Sequence, residues 1–233
     1  MLCADIGNTR TKAALFKGQD LLDFSENLKV EQLRVWLEQK PRCLVSKTGS
    51  NSEIEQFFTN AQYLNHKTQM PISLDYNTPE SLGPDRIAAA IGAYSMGADC
   101  DWLILSMGTC ITLDLLENGV FKGGLISPGI RTRYKAMHEF TDALPEAQPN
   151  PDVKFPGKST IESLQVGVNE SVVNEISGFV NRISSDNPKI KLIQHGGDIL
   201  NFGNALKIEI FARPKLVLEG LNYLLHHHNE DQH

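Results

Sequence analysis

The residues with the most chemical potential stand at the start of the chain, in Asp5-Ile6-Gly7-Asn8-Thr9-Arg10-Thr11-Lys12, between the apolar runs Leu2 to Ala4 and Ala13 to Phe16. A carboxylate ends a strand, and Gly, Asn and Thr follow, whose backbone N–H groups and small side chains can close around an anion. In that reading Gly7 admits a phosphate to the backbone, Thr9 donates its hydroxyl, Lys12 supplies countercharge and Asp5 holds a hydrated Mg2+. The same residue types also describe an ordinary β-hairpin with an Asn-containing turn. A second segment repeats the layout: Trp102 to Met107, then Gly108-Thr109, then Cys110 to Leu116, with Ser106 101 positions after Asp5. Two such turns, one per half of a duplicated chain, are expected to face each other across a cleft and grip one polyphosphate from both sides.

The next candidate is Leu74-Asp75-Tyr76-Asn77-Thr78-Pro79-Glu80-Ser81-Leu82-Gly83-Pro84-Asp85-Arg86. Gly and Pro make it a loop, and the Ala-rich stretch Ile87 to Met96 makes a helix after it. Asp85 and Arg86 then stand at a helix N-terminus, where a carboxylate is favoured and an Arg can hold a ligand carboxylate in two places. Alternatively, Asp85 merely occupies a first helical turn and Arg86 is solvated. The glycines of Gly123-Gly124-Leu125-Ile126-Ser127-Pro128-Gly129 indicate close backbone approach, to a ligand or to a neighbouring strand. His195-Gly196-Gly197-Asp198 reads as a glycine turn between a strand and a helix, a bed for a purine or its ribose.

These groups need a scaffold, and the apolar spacing supplies one. A third strand is expected near Leu21 to Ser25, a helix over Val30 to Gln39, and a buried parallel strand at Cys43 to Ser46. Ser50 or Asn51 caps a helix running through Phe57 and Phe58. In the second half Glu117-Asn118-Gly119 is a hairpin turn, Arg131 to Ala143 a helix, and Pro145 to Pro156 a surface connector. Ser159 and Glu162 have capping-box spacing and open a long helix towards Ile183, whose Leu164, Val168, Val172, Ile176 and Val180 recur on one buried face. Thr160 adds a possible ligand donor at its start. A strand near Lys207 to Phe211 and a helix over Leu216 to Leu225 close the chain, with His226, His227, His228 and His233 in a frayed, solvated tail. The domains predicted are residues 1–99 and 100–233.

Composition narrows the function. With 41% hydrophobic and 21% charged residues in 233, the chain is that of a globular protein with a substantial core. A net charge of -6 leaves no basic stripe to replace phosphate counterions, so no nucleic-acid partner is expected. The opening residues carry neither a basic nor an apolar leader, and no run reaches membrane-spanning length. Cys3, Cys43, Cys100 and Cys110 form no C-x-x-C pair and read as reduced thiols in or beside buried strands of a cytoplasmic protein.

Taken in order, Asp5-x-Gly7-Asn8-Thr9, Gly83-x-Asp85-Arg86, Gly108-Thr109-x-x-Thr112, Gly123-Gly124-x-Ile126-x-Pro128-Gly129, Gly157-Lys158-Ser159-Thr160, Gly196-Gly197-Asp198 and Leu218-Glu219-Gly220-Leu221-Asn222 resemble the type III pantothenate kinases. The resemblance covers nearly the whole chain. It implies an α/β fold of two ribonuclease-H-like, actin-like ATPase domains with a cleft between them, in the superfamily of acetate and sugar kinases, Hsp70 and actin. It implies a cytoplasmic homodimer that phosphorylates the primary hydroxyl of pantothenate with ATP, the first step of coenzyme A synthesis, using Mg2+ and a monovalent cation, K+ or NH4+. Asp85 becomes the general base, and Tyr76, Gly83, Pro84, Asp85, Arg86 and Thr160 the pantothenate contacts, Thr160 from across the dimer interface. Asp5, Ile6, Gly7, Asn8, Thr9, Arg10, Thr11, Lys12, Gly108, Thr109, Gly196 and Gly197 become the ATP contacts.

The chain departs from the family pattern at Ser106, where Asp is usual, and at His195, where Thr or Ser is usual. A serine donates a hydrogen bond but brings no negative charge to a cation. Three readings follow: a working kinase relying on Asp5 and Asp85, a weak or inactive member with a binding or regulatory role, and a kinase or phosphatase of the superfamily for another small hydroxylated substrate.

Overall fold

In the computed structural model, which describes residues 1–197, 206 and 208–230, the opening alternation becomes a three-stranded antiparallel meander. Its strands are β1 (Leu2–Ile6), β2 (Thr11–Lys17) and β3 (Asp20–Ser25). The register sets Leu2 opposite Leu15 and Asp5 opposite Lys12. Helix α1 (Val30–Leu37) carries the chain over to β4 (Cys43–Lys47), which pairs in parallel with β1 as its continuous apolar run predicts. β5 (Gln62–Tyr63) adds a short parallel edge, giving the order β3-β2-β1-β4-β5. Leu2, Ala4, Ile6, Leu33, Trp36, Val45 and Phe58 fill the core on this sheet.

A second sheet is built from β6 (Ser73–Leu74), β7 (Trp102–Met107), β8 (Cys110–Glu117), β9 (Val120–Pro128), β10 (Lys191–Gly196) and β11 (Ile210–Ala212). Its order is β11-β10-β7-β8-β9-β6. Strands β7 to β11 therefore repeat the sequence of places held by β1 to β5, with β6 added beside β9. The turn between β8 and β9 has Asn118 at φ 51° and Gly119 at φ 71°, the paired left-handed residues of the hairpin turn read from Asn-Gly.

The chain divides into two compact units, Met1–Ile104 with Asp114–Gly123 and Lys215–His233, and Leu105–Leu113 with Gly124–Pro214. In the first unit α3 (Pro84–Met96) packs on α6 (Leu216–Glu230). A Cβ on Gly220 would lie 1.9 Å from the Ala88 carbonyl oxygen, so only glycine permits this approach. In the second unit α4 (Ile130–Glu139) meets α5 (Thr160–Asp186). Half of the capping box is present: the Ser159 hydroxyl accepts from Glu162 N–H at 3.2 Å, while the Glu162 carboxylate accepts from Lys158 N–H at 2.7 Å, one residue before the cap. Leu164, Val168, Val172, Ile176 and Val180 are all buried, as their spacing predicts.

Several boundaries differ from expectation. Helix α2 covers only Ser52–Glu55, with Asn51 as its cap; Phe57 and Phe58 follow in tighter turns, their N–H groups donating three residues back to Ile54 and Glu55. Helix α3 starts at Pro84, a favoured first helical residue, rather than at Ile87. Helix α4 stops at Glu139, where the Thr141 hydroxyl donates to the Met137 carbonyl. Helix α6 continues to Glu230, so His226, His227 and His228 are helical rather than frayed; Tyr223 and His227, one turn apart, stack with ring centres 6.3 Å apart. All four cysteines are free thiols, Cys3 buried but Cys110 exposed at the start of β8. The helix expected after Gly197, together with Asp198, Lys207 and His233, lies outside the described residues. Among the described residues no helix is long and apolar enough to cross a membrane.

Candidate active site

At the end of β1 the Asp5 carboxylate accepts a hydrogen bond from the buried Ser46 hydroxyl of β4, Oγ to Oδ1 2.9 Å. This follows from the parallel register, which sets Asp5 beside Ser46. Burial pushes the Asp5 carboxyl up to about 6, the Asp85 carboxylate pushes it further in that direction, and Ser46 and Lys12 oppose the shift. The turn that follows is closed by Gly7 N–H donating to the Arg10 carbonyl at 3.1 Å, which leaves Asn8 and Thr9 at an exposed tip. Thr48 N–H and Gly49 N–H both donate to the Ile6 carbonyl. A Cβ on Gly49 would lie 2.3 Å from the Gly7 carbonyl oxygen, so backbone lies directly on backbone beneath the turn.

The remaining candidates of this hairpin divide by exposure. Arg10 and Lys12 reach Glu26 at 3.0 and 3.6 Å. Thr11 is buried and accepts from the Asn51 amide at 3.0 Å, while Ile6 is fully buried. Ligand contact at Ile6 is therefore a matter for backbone, and Thr11 is committed to holding Asn51.

Asp85 stands in the first turn of α3, and its carboxylate folds back towards Gly83 and accepts the Arg86 N–H at 2.9 Å. Burial raises its carboxyl above the ordinary range, and the Arg86 N–H and guanidinium resist the shift. A raised carboxyl is a better proton acceptor at neutral pH than an ordinary one. Arg86 is not solvated. Its Nε donates to both oxygens of Asp114 at 3.1 Å, and its guanidinium lies near the rings of Tyr76 and Phe121.

In the second unit the Gly108 N–H donates to the Cys110 carbonyl at 3.1 Å, closing a turn around Thr109. The Thr109 carbonyl accepts from Gly129 N–H at 3.0 Å and from the Thr132 hydroxyl at 2.6 Å. Gly129 sits so close to Gly108 that a Cβ there would lie 1.9 Å from its carbonyl oxygen. Gly197 N–H donates to the Met107 carbonyl at 2.9 Å, and Gly196, at φ 107°, is packed on the same residue. Thr160 is exposed at the start of α5.

The first unit thus holds Asp5, Gly7, Lys12, Tyr76, Gly83, Pro84, Asp85 and Arg86, with Asp5 and Asp85 near enough for one carboxylate to act on the other, and the second holds Ser106, Gly108, Thr109, Thr160, Gly196 and Gly197. Sequence reasoning missed Ser46, Gly49 and Asp114. Asp114 did carry a signal: an acid inside the apolar strand Cys-Ile-Thr-Leu-Asp-Leu-Leu must find a buried cation.

A family model for type III pantothenate kinases matches residues 1–182. A type III pantothenate kinase of Phocaeicola vulgatus is 34% identical over 98% of this chain and 99% of its own. The chain belongs to the type III pantothenate kinase family. Another member, from Christiangramia forsetii, is 35% identical over 96% of this chain and 97% of its own. Among solved structures, a protein of Campylobacter jejuni described as a Baf family transcriptional activator superposes with a TM-score of 0.60 at 23% identity, covering 99% of this chain and 100% of that one. The ethanolamine utilization protein EutJ of Carboxydothermus hydrogenoformans superposes with a TM-score of 0.53 at 10% identity, covering 96% and 89%. These likenesses concern the fold, which is the mixed α/β, actin-like ATPase architecture that the family resemblance implied.

Proposed function

We propose that the chain transfers the γ-phosphoryl group of ATP to the primary hydroxyl of pantothenate, with Asp85 as general base. The observation that carries this reading is the Asp85 carboxyl in the first turn of α3, raised by burial and electrostatically coupled to Asp5. As the hydroxyl oxygen bonds to the γ-phosphorus and ADP leaves, Asp85 takes the hydroxyl proton, so the attacking oxygen never carries a full positive charge. Gly83, Pro84, Arg86 and Tyr76 orient the acceptor. The turns at Gly7 to Lys12 and at Gly108-Thr109 hold phosphate through backbone N–H groups and hydroxyls, and Gly196 and Gly197 bed the nucleoside.

The donor set suits Mg2+, a cation that prefers oxygen ligands and keeps most of its waters. Asp5 is a desolvated carboxylate fixed by Ser46, whose charge a cation would offset. Asp5 would hold the hydrated ion, which when bound neutralises charge on the transferring phosphoryl group. K+ or NH4+ is proposed from family membership alone, without assigned ligands.

The chain acts as a cytoplasmic homodimer in this proposal, with domains 1–99 and 100–233 and with Thr160 supplied across the interface. Its support is the apolar surface of the second unit: Phe140 is 86% exposed and Phe155 77%, and Ile161 follows Thr160 directly. Sedimentation analysis showing a monomer at micromolar concentration would remove the shared site.

One observation favours a second reading, a weak or inactive member with a binding or regulatory role: Ser106 stands where an acid is usual. Pantothenate-dependent ADP release separates the two. The native protein should turn over, and Asp85→Asn should lose about 10³-fold in kcat while still binding pantothenate. Native turnover in Asp85→Asn refutes the base assignment. Turnover appearing only in Ser106→Asp supports the second reading, and turnover only with another alcohol reassigns the substrate.

A further inference from the structure

Arg86 and Asp114 form a buried pair that the phosphoryl-transfer chemistry does not itself require. Arg86 is 8% exposed and Asp114, on β8, 1%. Nε donates to both carboxylate oxygens at 3.1 Å, and Nη2 donates to Oδ1. The guanidinium carbon lies 5.8 Å from the ring centre of Tyr76 and 5.6 Å from that of Phe121, and the two rings meet edge to face at 6.1 Å. One edge of the guanidinium is therefore chelated, and two aromatic rings lie near it.

A buried ion pair adds little net stability over an apolar filling of the same space. What this pair supplies is geometry. A planar fork held at one edge has a single orientation, and the rings packed on it inherit that orientation. Two of those groups, Arg86 and Tyr76, belong to the proposed acceptor site, and Asp85 adjoins Arg86 in the chain.

We infer that Asp114 is a positioning residue of the acceptor site, chelating Arg86 so that its guanidinium and the Tyr76 ring meet the carboxylate-bearing substrate in one fixed arrangement. Asp114 acts on the acceptor through Arg86. The inference rests on the pantothenate kinase reading above.

Steady-state kinetics on the full chain test it, with the melting temperature followed alongside. Asp114→Asn should raise the pantothenate KM about tenfold, a loss of about 1.4 kcal/mol in apparent affinity, and leave the ATP KM within about twofold. Because Asp114 works through Arg86, Arg86→Gln with Asp114→Asn should show the pantothenate KM of Arg86→Gln alone. A purely structural Asp114 would lower the melting temperature and the folded fraction while leaving the pantothenate KM unchanged, and that result overturns the inference, as does an additive double variant. If Asp114→Asn does not fold, Phe121→Leu keeps the ion pair and loosens one ring; its pantothenate KM should rise severalfold, and an unchanged value again overturns the inference. A native protein without pantothenate turnover defeats the functional reading and this inference together. Native turnover with an unchanged KM in the variants defeats this inference alone.

Discussion

The hairpins β1–β2 and β7–β8 occupy matching places in their sheets and are buttressed alike, yet they carry different chemistry. In each, a carbonyl just before the glycine, Ile6 or Met107, accepts an N–H from a glycine following the adjacent strand, Gly49 or Gly197. In each, a second glycine is pressed against the turn, Gly49 on Gly7 and Gly129 on Gly108. The contents differ. The first turn encloses Asn8 and Thr9 and is preceded by an acid, whereas the second encloses Thr109 alone and is preceded by Ser106. The comparison teaches that the two hairpins share a backbone platform, while the acid before the turn belongs to the first alone. Under the proposed function, cation binding rests on the first hairpin, and the second contributes backbone and hydroxyl donors.

The shared platform can be broken directly. Gly49→Ala and Gly129→Ala each place a Cβ against backbone, 2.3 Å and 1.9 Å from a carbonyl oxygen. Overpacking of this kind costs about 3 kcal/mol or more, and both variants should show it in chemical denaturation. Gly167→Ala, on α5 with nothing near its Cβ position, should instead gain about 1 kcal/mol from helix propensity. Native stability in Gly49→Ala would mean that the first turn is not seated on the platform described.

The unequal contents make the next prediction. Asp5→Asn should lower kcat by about 10²-fold, or about 2.7 kcal/mol of transition-state stabilisation, whereas Ser106→Ala should change it by less than about threefold. Equal losses would show that both turns carry the chemistry, and a larger loss at Ser106 would invert the assignment.

Much of this asymmetry is legible in the sequence, because it is local. Asp5 before Gly-Asn-Thr and Ser106 before Met-Gly-Thr are neighbours in the chain, and their flanking apolar runs set the strands. The parallel strand β4 and the capped helix α5 are legible for the same reason, each resting on a run of residues whose spacing has one physical outcome. The partners are not local. Ser46 lies 41 positions from Asp5, and Asp114 lies 28 from Arg86. A serine in Leu-Val-Ser-Lys reads only as the end of a strand. Gly49, in Thr-Gly-Ser, reads as a turn, and its contact with Gly7 exists only once β4 is aligned on β1. Helix ends at Glu55 and Glu139 were misplaced because apolar residues beyond them extend the periodicity although the backbone has already tightened or been capped.

A titration probes the same acid without substrate. The folded Asp5 carboxyl sits at about 6, above the ordinary 3.8, so the folded chain binds that proton more tightly than the unfolded chain. Between roughly pH 4 and 6 the unfolded state therefore holds fewer protons at this position, and the Asp5 contribution to stability falls as pH rises. Asp5→Asn lacks that contribution. In metal-free buffer its stability relative to the native chain should grow across this window, by on the order of 2 kcal/mol, and stay level above about pH 7. The second hairpin has no counterpart, so Ser106→Ala should track the native chain at every pH. A constant difference between Asp5→Asn and the native chain would mean that Asp5 is solvated and ionises as an ordinary carboxylate.

The smallest effect concerns how the single acid is held. Ser46→Ala removes the hydroxyl that donates to Asp5 Oδ1 at 2.9 Å and leaves the strand pairing of β4 intact. A hydrogen bond to a charged acceptor is worth about 1.5 to 3 kcal/mol, and the favourable release of a raised carboxylate to its neutral form reduces the net loss to about 1 kcal/mol. The signature is the direction of the titration. Ser46 opposes the upward shift of Asp5, so Ser46→Ala should move the Asp5 midpoint, followed by carboxyl NMR, to higher pH. It should also raise severalfold the Mg2+ concentration needed for half-maximal turnover at fixed ATP, because a carboxyl that protonates more readily holds the cation less well. Cysteine at position 46 keeps the volume with a weaker donor and should fall between serine and alanine. If all three share one Asp5 midpoint, the hydroxyl fills space between β1 and β4, and the charge of the first hairpin is set by burial alone.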